Sequence, residues 1–161
     1  MWLDPEKAET QYFLGLTYFA LNRLEEAEKA LEIAIENGFE PLLQAKQKLA
    51  EIYLYDKKYS LAVQYYEGVL KEDPKNVDNF VRPVWMYLEQ IFDPKKALAL
   101  AEEAVEKNPE SAMAYNLLGW AHLANGNLEK AEKFLQKALE LDNELAAAYL
   151  NLGKLREAEG K

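Results

Sequence analysis

Small residues return along this chain in step, and that constrains its fold more than any other feature. Ala27, Ala62, Ala97 and Ala131 are spaced 35, 35 and 34 residues apart. A second small residue follows each by seven, at Ala34, Val69, Ala104 and Ala138. Upstream of three of the alanines stands an apolar–small pair, Leu14-Gly15, Leu49-Ala50 and Leu118-Gly119; in the other the place is held by Pro83-Val84. Three residues further on comes a ring: Tyr18, Tyr53, Tyr87 and His122. Turn residues close the units at Pro5, Phe39, Pro74, Pro109 and Asn143. A period of this length means that one supersecondary unit is stacked on the next, so 161 residues here count repeats and not one closed core.

Within a unit the spacing predicts helix–turn–helix. Tyr115, Leu118, Gly119 and His122 follow the i, i+3, i+4, i+7 spacing of one helical face. Asn125-Gly126-Asn127 breaks that helix. Leu128, Ala131, Leu135, Ala138 and Leu139 form a second apolar stripe, which Asp142-Asn143 stops. β-Branched residues are sparse and no segment alternates with period two for long, so strands are not expected. The small residues have a physical reason. Two antiparallel helices joined by a short turn approach closely where they cross, and the side chain at the crossing sets their separation. Gly15, Ala50 and Gly119 are placed there on first helices and the recurring alanines on second helices. One hairpin cannot bury both of its faces; a stack of them builds a continuous core.

These residues resemble the tetratricopeptide repeat, whose unit carries an aromatic, Leu-Gly, Tyr, Ala, an aromatic or apolar residue, Ala and Pro at fixed offsets. Tyr115, Leu118-Gly119, Ala131, Leu135 and Ala138 carry the likeness in one unit, and Leu49-Ala50, Tyr53, Ala62, Tyr66, Val69 and Pro74 in another. The resemblance implies an all-α fold: a right-handed superhelical solenoid of helix–turn–helix repeats with a C-terminal capping helix. The units are placed at 8–41, 43–76, 77–111 and 112–145. Residues 1–7, with Leu3-Asp4-Pro5 like the last turn of a second helix, are read as the remnant of a preceding repeat or an extension. Residues 146–161 are read as the cap, because Tyr149, Leu152-Gly153 and Leu155 open a fifth unit with Arg156 in the ring position, where a cation suits an exposed face.

The unit at 77–111 is irregular. Its alanine, Ala97, comes one residue late, which places the extra residue in the turn Ile91-Phe92-Asp93-Pro94, with Asp93 as N-cap and Pro94 at the first helical position. Pro83 stands inside the first helix, where proline removes a hydrogen bond, so that helix is expected to bend or to begin late.

Composition narrows the function. There is no cysteine, and His122 is the single histidine, so thiolate catalysis, disulfides and cysteine- or histidine-only metal sites are excluded. Serine and threonine total four, Thr10, Thr17, Ser60 and Ser111. No nucleophile–base pair, phosphate loop or metal cluster is present, and the chain is read as non-enzymatic, with no cofactor and no metal. His122, in the ring position, is read as a packed, hydrogen-bonded core residue. Nineteen basic against 28 acidic residues give a net charge of −9, unsuited to the phosphate backbone of a nucleic acid. No apolar run is long enough for a membrane span, and the first residues have neither the basic flank nor the apolar stretch of a signal peptide, so the expected compartment is the cytoplasm.

The resemblance also implies where a partner sits: first helices line a concave groove and contact a protein or peptide from fixed offsets. Carried over by position, these are Tyr12, Leu16 and Phe19; Gln47, Glu51 and Tyr55; Val81 and Trp85; Met113, Asn116, Trp120 and Leu123; and Lys154 on the cap, with Glu89 and Leu150 on the same offsets. The set is rich in aromatic residues, which mark interaction surfaces. An adaptor or assembly scaffold for a peptide or helix is the first reading. The two-point basic clamp by which chaperone-binding members hold a peptide carboxylate is not matched: one frame gives Tyr12, Leu16, Lys48, Asp78 and Arg82, and the others fit no better. Two basic against seven acidic residues at 8–41, a local −5, would suit a partner with a basic segment. The second reading is structural: two copies pairing through the exposed face of the first helix, with Phe13 and Tyr18.

Overall fold

The structure, a computed structural model, describes residues 7–160. The expected remnant at Leu3-Asp4-Pro5 lies outside them. All the regular structure among the described residues is α-helix: α1 Ala8–Ala20, α2 Leu24–Glu36, α3 Leu42–Tyr55, α4 Tyr59–Glu72, α5 Asp78–Glu89, α6 Pro94–Lys107, α7 Ala112–Ala124, α8 Leu128–Leu141 and α9 Ala146–Ala158. They form two compact units that divide between Glu72 and Asp73. In the first, α1 packs on α2 and α3 on α4, with α2 against α3. In the second, α6 lies against both α5 and α7, and α8 against both α7 and α9; α7 also touches α5 and α9.

The repeating turn explains the phase of the alanines. Asn22, Lys57, Phe92 and Gly126 all have positive φ, between 58° and 75°, and each stands five residues before Ala27, Ala62, Ala97 or Ala131. The residue after each donates its backbone N–H to the carbonyl of the ring residue: Arg23 to Tyr18, Lys58 to Tyr53, Asp93 to Tyr87 and Asn127 to His122, at 2.8–2.9 Å. The left-handed residue reverses the chain, and this hydrogen bond closes the end of the first helix. Between α5 and α6 the turn has four residues where the others have three, so the extra residue sits in the turn as expected. Asp93 then caps α6, its carboxylate accepting from the Lys96 N–H at 3.1 Å, with Pro94 following at the first position.

Helix crossings depend on the glycines. A Cβ built on Gly15 would lie 2.7 Å from Leu31 Cγ, and one on Gly119 would lie 2.7 Å from Leu135 Cγ. The residue filling the crossing is thus the leucine four after the recurring alanine. Leu31 and Leu135 are fully buried as a result, a gain of about 2 kcal/mol each. Ala27, Ala62, Ala97 and Ala131 are all at zero exposure. Pro83 does not delay its helix: α5 starts at Asp78 and runs through the buried proline. The missing N–H leaves the Asn79 carbonyl without its helical donor. Asn79 is itself buried, and its side-chain amide donates to the Asp73 carbonyl at 2.9 Å, tying down the segment that enters α5.

Candidate functional site

In the first unit the face made by α1 and α3 has a buried and an open part. Tyr12 belongs to the buried part. Its ring stacks on Phe39 at 4.0 Å and is only 3% exposed, so it is core and not a contact surface. Burial raises its phenol above the ordinary range, with Lys48 opposing and Glu51 reinforcing. Leu16, Phe19, Gln47 and Glu51 are half-buried. Phe19 meets Tyr55 edge to face at 5.7 Å, and Tyr55 is 62% exposed. Glu51 is occupied by Lys48 at 2.8 Å. The open part of this face is therefore an aromatic pair beside a neutralised ion pair.

In the second unit the corresponding face is built by α5, α7 and α9. Val81, Trp85, Met113, Trp120, Leu123 and Lys154 are half-buried along it. The Lys154 ammonium lies 5.1 Å from the centre of the Trp120 ring and 3.5 Å from the Glu89 carboxylate. Arg82 stands 6.0 Å from the centre of the Trp85 ring. Leu150, one turn before Lys154, is 64% exposed. Asn116 departs from expectation: it is buried, and its carbonyl oxygen accepts from the Asn151 amide at 2.9 Å, so it fastens α9 to α7 and does not face a partner. Arg82 belongs to the open part of this face, and Asn151 lies buried behind it. The clamp offsets pass through Arg82, but the groove offsets do not, and neither marks Asn151 as the buried tie.

Elsewhere the ionisable groups hold helices together. Tyr53 donates its hydroxyl to Glu32 at 3.0 Å; burial first, then this bond and nearby Glu28, raise its phenol so that it stays a donor. Lys58 reaches Glu28 at 2.7 Å and Asp56 at 3.0 Å, and these bonds raise its ammonium above the ordinary range. Five of the seven acidic residues of the first repeat, Glu25, Glu26, Glu28, Glu32 and Glu36, lie on α2. His122 is buried, stacked on Phe134 at 5.3 Å, with its Nδ1 3.5 Å from the Asn127 amide. Burial lowers its proton affinity, Lys130 adds to that, and Glu102 opposes. Among the described residues no group of three His, Asp or Glu side chains is placed to hold a metal ion, and no helix is long and apolar enough to cross a membrane.

The family model for the tetratricopeptide repeat matches residues 2–41, 12–77 and 93–146. The human mitochondrial import receptor subunit TOM70 is 23% identical over 168 residues, covering 98% of this chain and 27% of the receptor subunit. This chain spans about a quarter or less of the length of such curated relatives. Among solved structures, a MamA fragment from Desulfovibrio magneticus superposes with a TM-score of 0.73 at 26% identity, covering 96% of this chain and 86% of the fragment. YrrB, described as a repeat protein of this kind with an unusual peptide-binding site, superposes at 0.70 with 22% identity, covering 94% of this chain and 77% of its own.

Proposed function

This chain belongs to the tetratricopeptide repeat family, and we propose that it is a non-catalytic binding module that holds an extended or helical segment of a partner protein on its first-helix faces, as an adaptor or assembly scaffold. The observation that carries this reading is the set of open apolar side chains on those faces: Tyr55 against Phe19 in one unit, and Trp120 with Lys154 and Leu150 in the other. Phe19 and Trp120 are half-buried before binding, and large rings held in this way lose little rotamer freedom on contact, which makes them efficient anchors. The lysine seated on Trp120 adds a cation that can exchange Glu89 for an acidic or carbonyl group of the partner. Peptide binding by YrrB supports the same use of the fold. A basic stretch flanking the bound segment would meet α2, where the acidic excess lies. Panning a random peptide library on the protein tests the reading: enrichment of a shared motif over an unrelated helical protein is expected, and the absence of any enriched motif contradicts it.

Phe13 favours a second role. It lies on α1, 62% exposed, on the side opposite the buried Gly15 contact. Tyr18 contributes less, since it is half-buried beneath Arg23. Two copies would pair through this face. Sedimentation across a concentration range decides it, and a monomer at every concentration rejects it.

A further inference from the structure

Helices α7 and α8 border a cavity of about 430 Å³, lined by Tyr115 of α7 and by Lys133, Phe134, Gln136, Lys137 and Glu140 of α8. None of these residues stands at a groove offset, so the cavity is separate from the residues assigned to the first-helix faces. The Tyr115 and Phe134 rings are half-buried, 24° from parallel, with centres 6.3 Å apart. Phe134 is backed by the buried His122, whose ring stacks on it at 5.3 Å. The walls are therefore flat and aromatic, and one is held from behind. The polar groups are unevenly committed. Glu140 is held by Lys137 at 3.2 Å. The Lys133 ammonium lies 6.0 Å from the centre of the Phe134 ring and makes no ion pair among the described residues. The Tyr115 hydroxyl has no hydrogen-bond partner among them either, whereas that of Tyr149, its counterpart on α9, donates to the Asn143 carbonyl at 3.0 Å. In the repeat at 43–76 the place of Tyr115 is held by Lys46, which is tied to Glu72.

We propose that this cavity is a small-molecule site for an aromatic carboxylate, a planar ring of one or two fused cycles bearing a single acid group. Each part of that description answers an observation. Two flat aromatic walls favour a planar ring, which stacks on one and meets the edge of the other. The lining carries two lysines and one carboxylate, and the carboxylate is already neutralised by Lys137, so the charge left over is one cation, Lys133. One cation matches one carboxylate and leaves a cationic ligand without a partner. An acid group that accepts from the Lys133 ammonium and the Tyr115 hydroxyl engages the two donors that no protein group occupies, and a hydrogen bond to an ionised acceptor is the stronger kind. The volume falls within the range of ligand sites and holds a two-ring acid.

The test titrates the intact chain, labelled with nitrogen-15, with 2-naphthoate and with its uncharged analogue 2-naphthalenemethanol. Saturable shifts of the amide signals of Phe134 and Lys137 are expected with the acid, and binding of the alcohol is expected to be weaker by about tenfold. Lys133→Glu should weaken the acid by about tenfold or more, and Tyr115→Phe, which keeps the ring and removes the hydroxyl, by about threefold or more. Lys95→Glu makes the same change in net charge at an exposed residue of α6 outside the cavity, and it should leave the affinity within about twofold. Thermal midpoints of the variants separate lost binding from lost folding, and the comparison of acid with alcohol needs no variant. No saturable shift with 2-naphthoate overturns the proposal. So does equal affinity for the alcohol, or an affinity that Lys133→Glu lowers no more than Lys95→Glu does.

Discussion

Asn151 donates its side-chain amide to the Asn116 carbonyl oxygen at 2.9 Å, and both residues are more than nine-tenths buried. One buried hydrogen bond between two amides therefore ties α9 to α7. Asn151→Ala leaves the Asn116 oxygen buried and unpaired, at a cost of about 1–3 kcal/mol. Urea unfolding of the single variants and of Asn116→Leu/Asn151→Leu checks this. The double apolar variant is expected to recover part of the loss, whereas strict additivity would show that the two side chains do not act as a pair.

Gly119 and Gly153 predict opposite signs for the same substitution. Gly119→Ala drives a methyl group to 2.7 Å from Leu135 Cγ and is expected to cost about 1–3 kcal/mol by overpacking, despite the better helix propensity of alanine. Gly153→Ala meets nothing and is expected to gain about 0.5–1 kcal/mol. Thermal unfolding of the two variants side by side is sufficient; a shared sign contradicts the crossing geometry.

His122 gives the fold a pH dependence. Its proton affinity is lowered by burial, so the unfolded chain takes up a proton before the folded one does. The group is neutral in both states above about pH 7; stability falls as pH drops below the unfolded value of roughly 6.5, until the lower folded value is reached. The stability difference between the unmodified protein and His122→Gln should therefore shrink from pH 7.5 to pH 5.5. A difference that is constant or grows over that range rejects the burial argument.

Phe92 holds the position that Gly126 holds in the next repeat, with φ of 59° and 76% exposure. A bulky residue in the left-handed region is strained, and the exposed ring returns little. Phe92→Gly is expected to raise stability by up to about 1 kcal/mol, the relief of strain being offset in part by the freer unfolded chain. A lower thermal midpoint would show that the ring contributes packing that outweighs the strain.

The repeat was legible in the sequence because a crossing distance enforces it: Gly15 and Gly119 cannot grow against Leu31 and Leu135, and the recurring alanines are buried without remainder. The restart at Asp93-Pro94 was legible because capping chemistry is local. The left-handed turn position was not, since Asn22, Lys57, Phe92 and Gly126 share a backbone conformation and no side-chain property. The depth of Tyr12 was not legible either. It depends on Phe39, which stands outside both helices and follows no helical spacing. Asn116 was assigned to the surface by its offset, and only the partner on α9 reveals it as a buried tie. The Lys154–Glu89 pair joins α9 to α5 and follows no period along the chain.

The most direct test of the binding account is the affinity of a peptide selected on the unmodified protein, measured again on Trp120→Ala, Tyr55→Ala and Gln136→Ala. Trp120 and Tyr55 lie on the first-helix faces, whereas Gln136 is an exposed residue of α8. A loss of tenfold or more is predicted for Trp120→Ala or Tyr55→Ala, with Gln136→Ala within about twofold of the unmodified protein. Affinity unchanged in both aromatic variants would contradict the claim that these faces hold the partner.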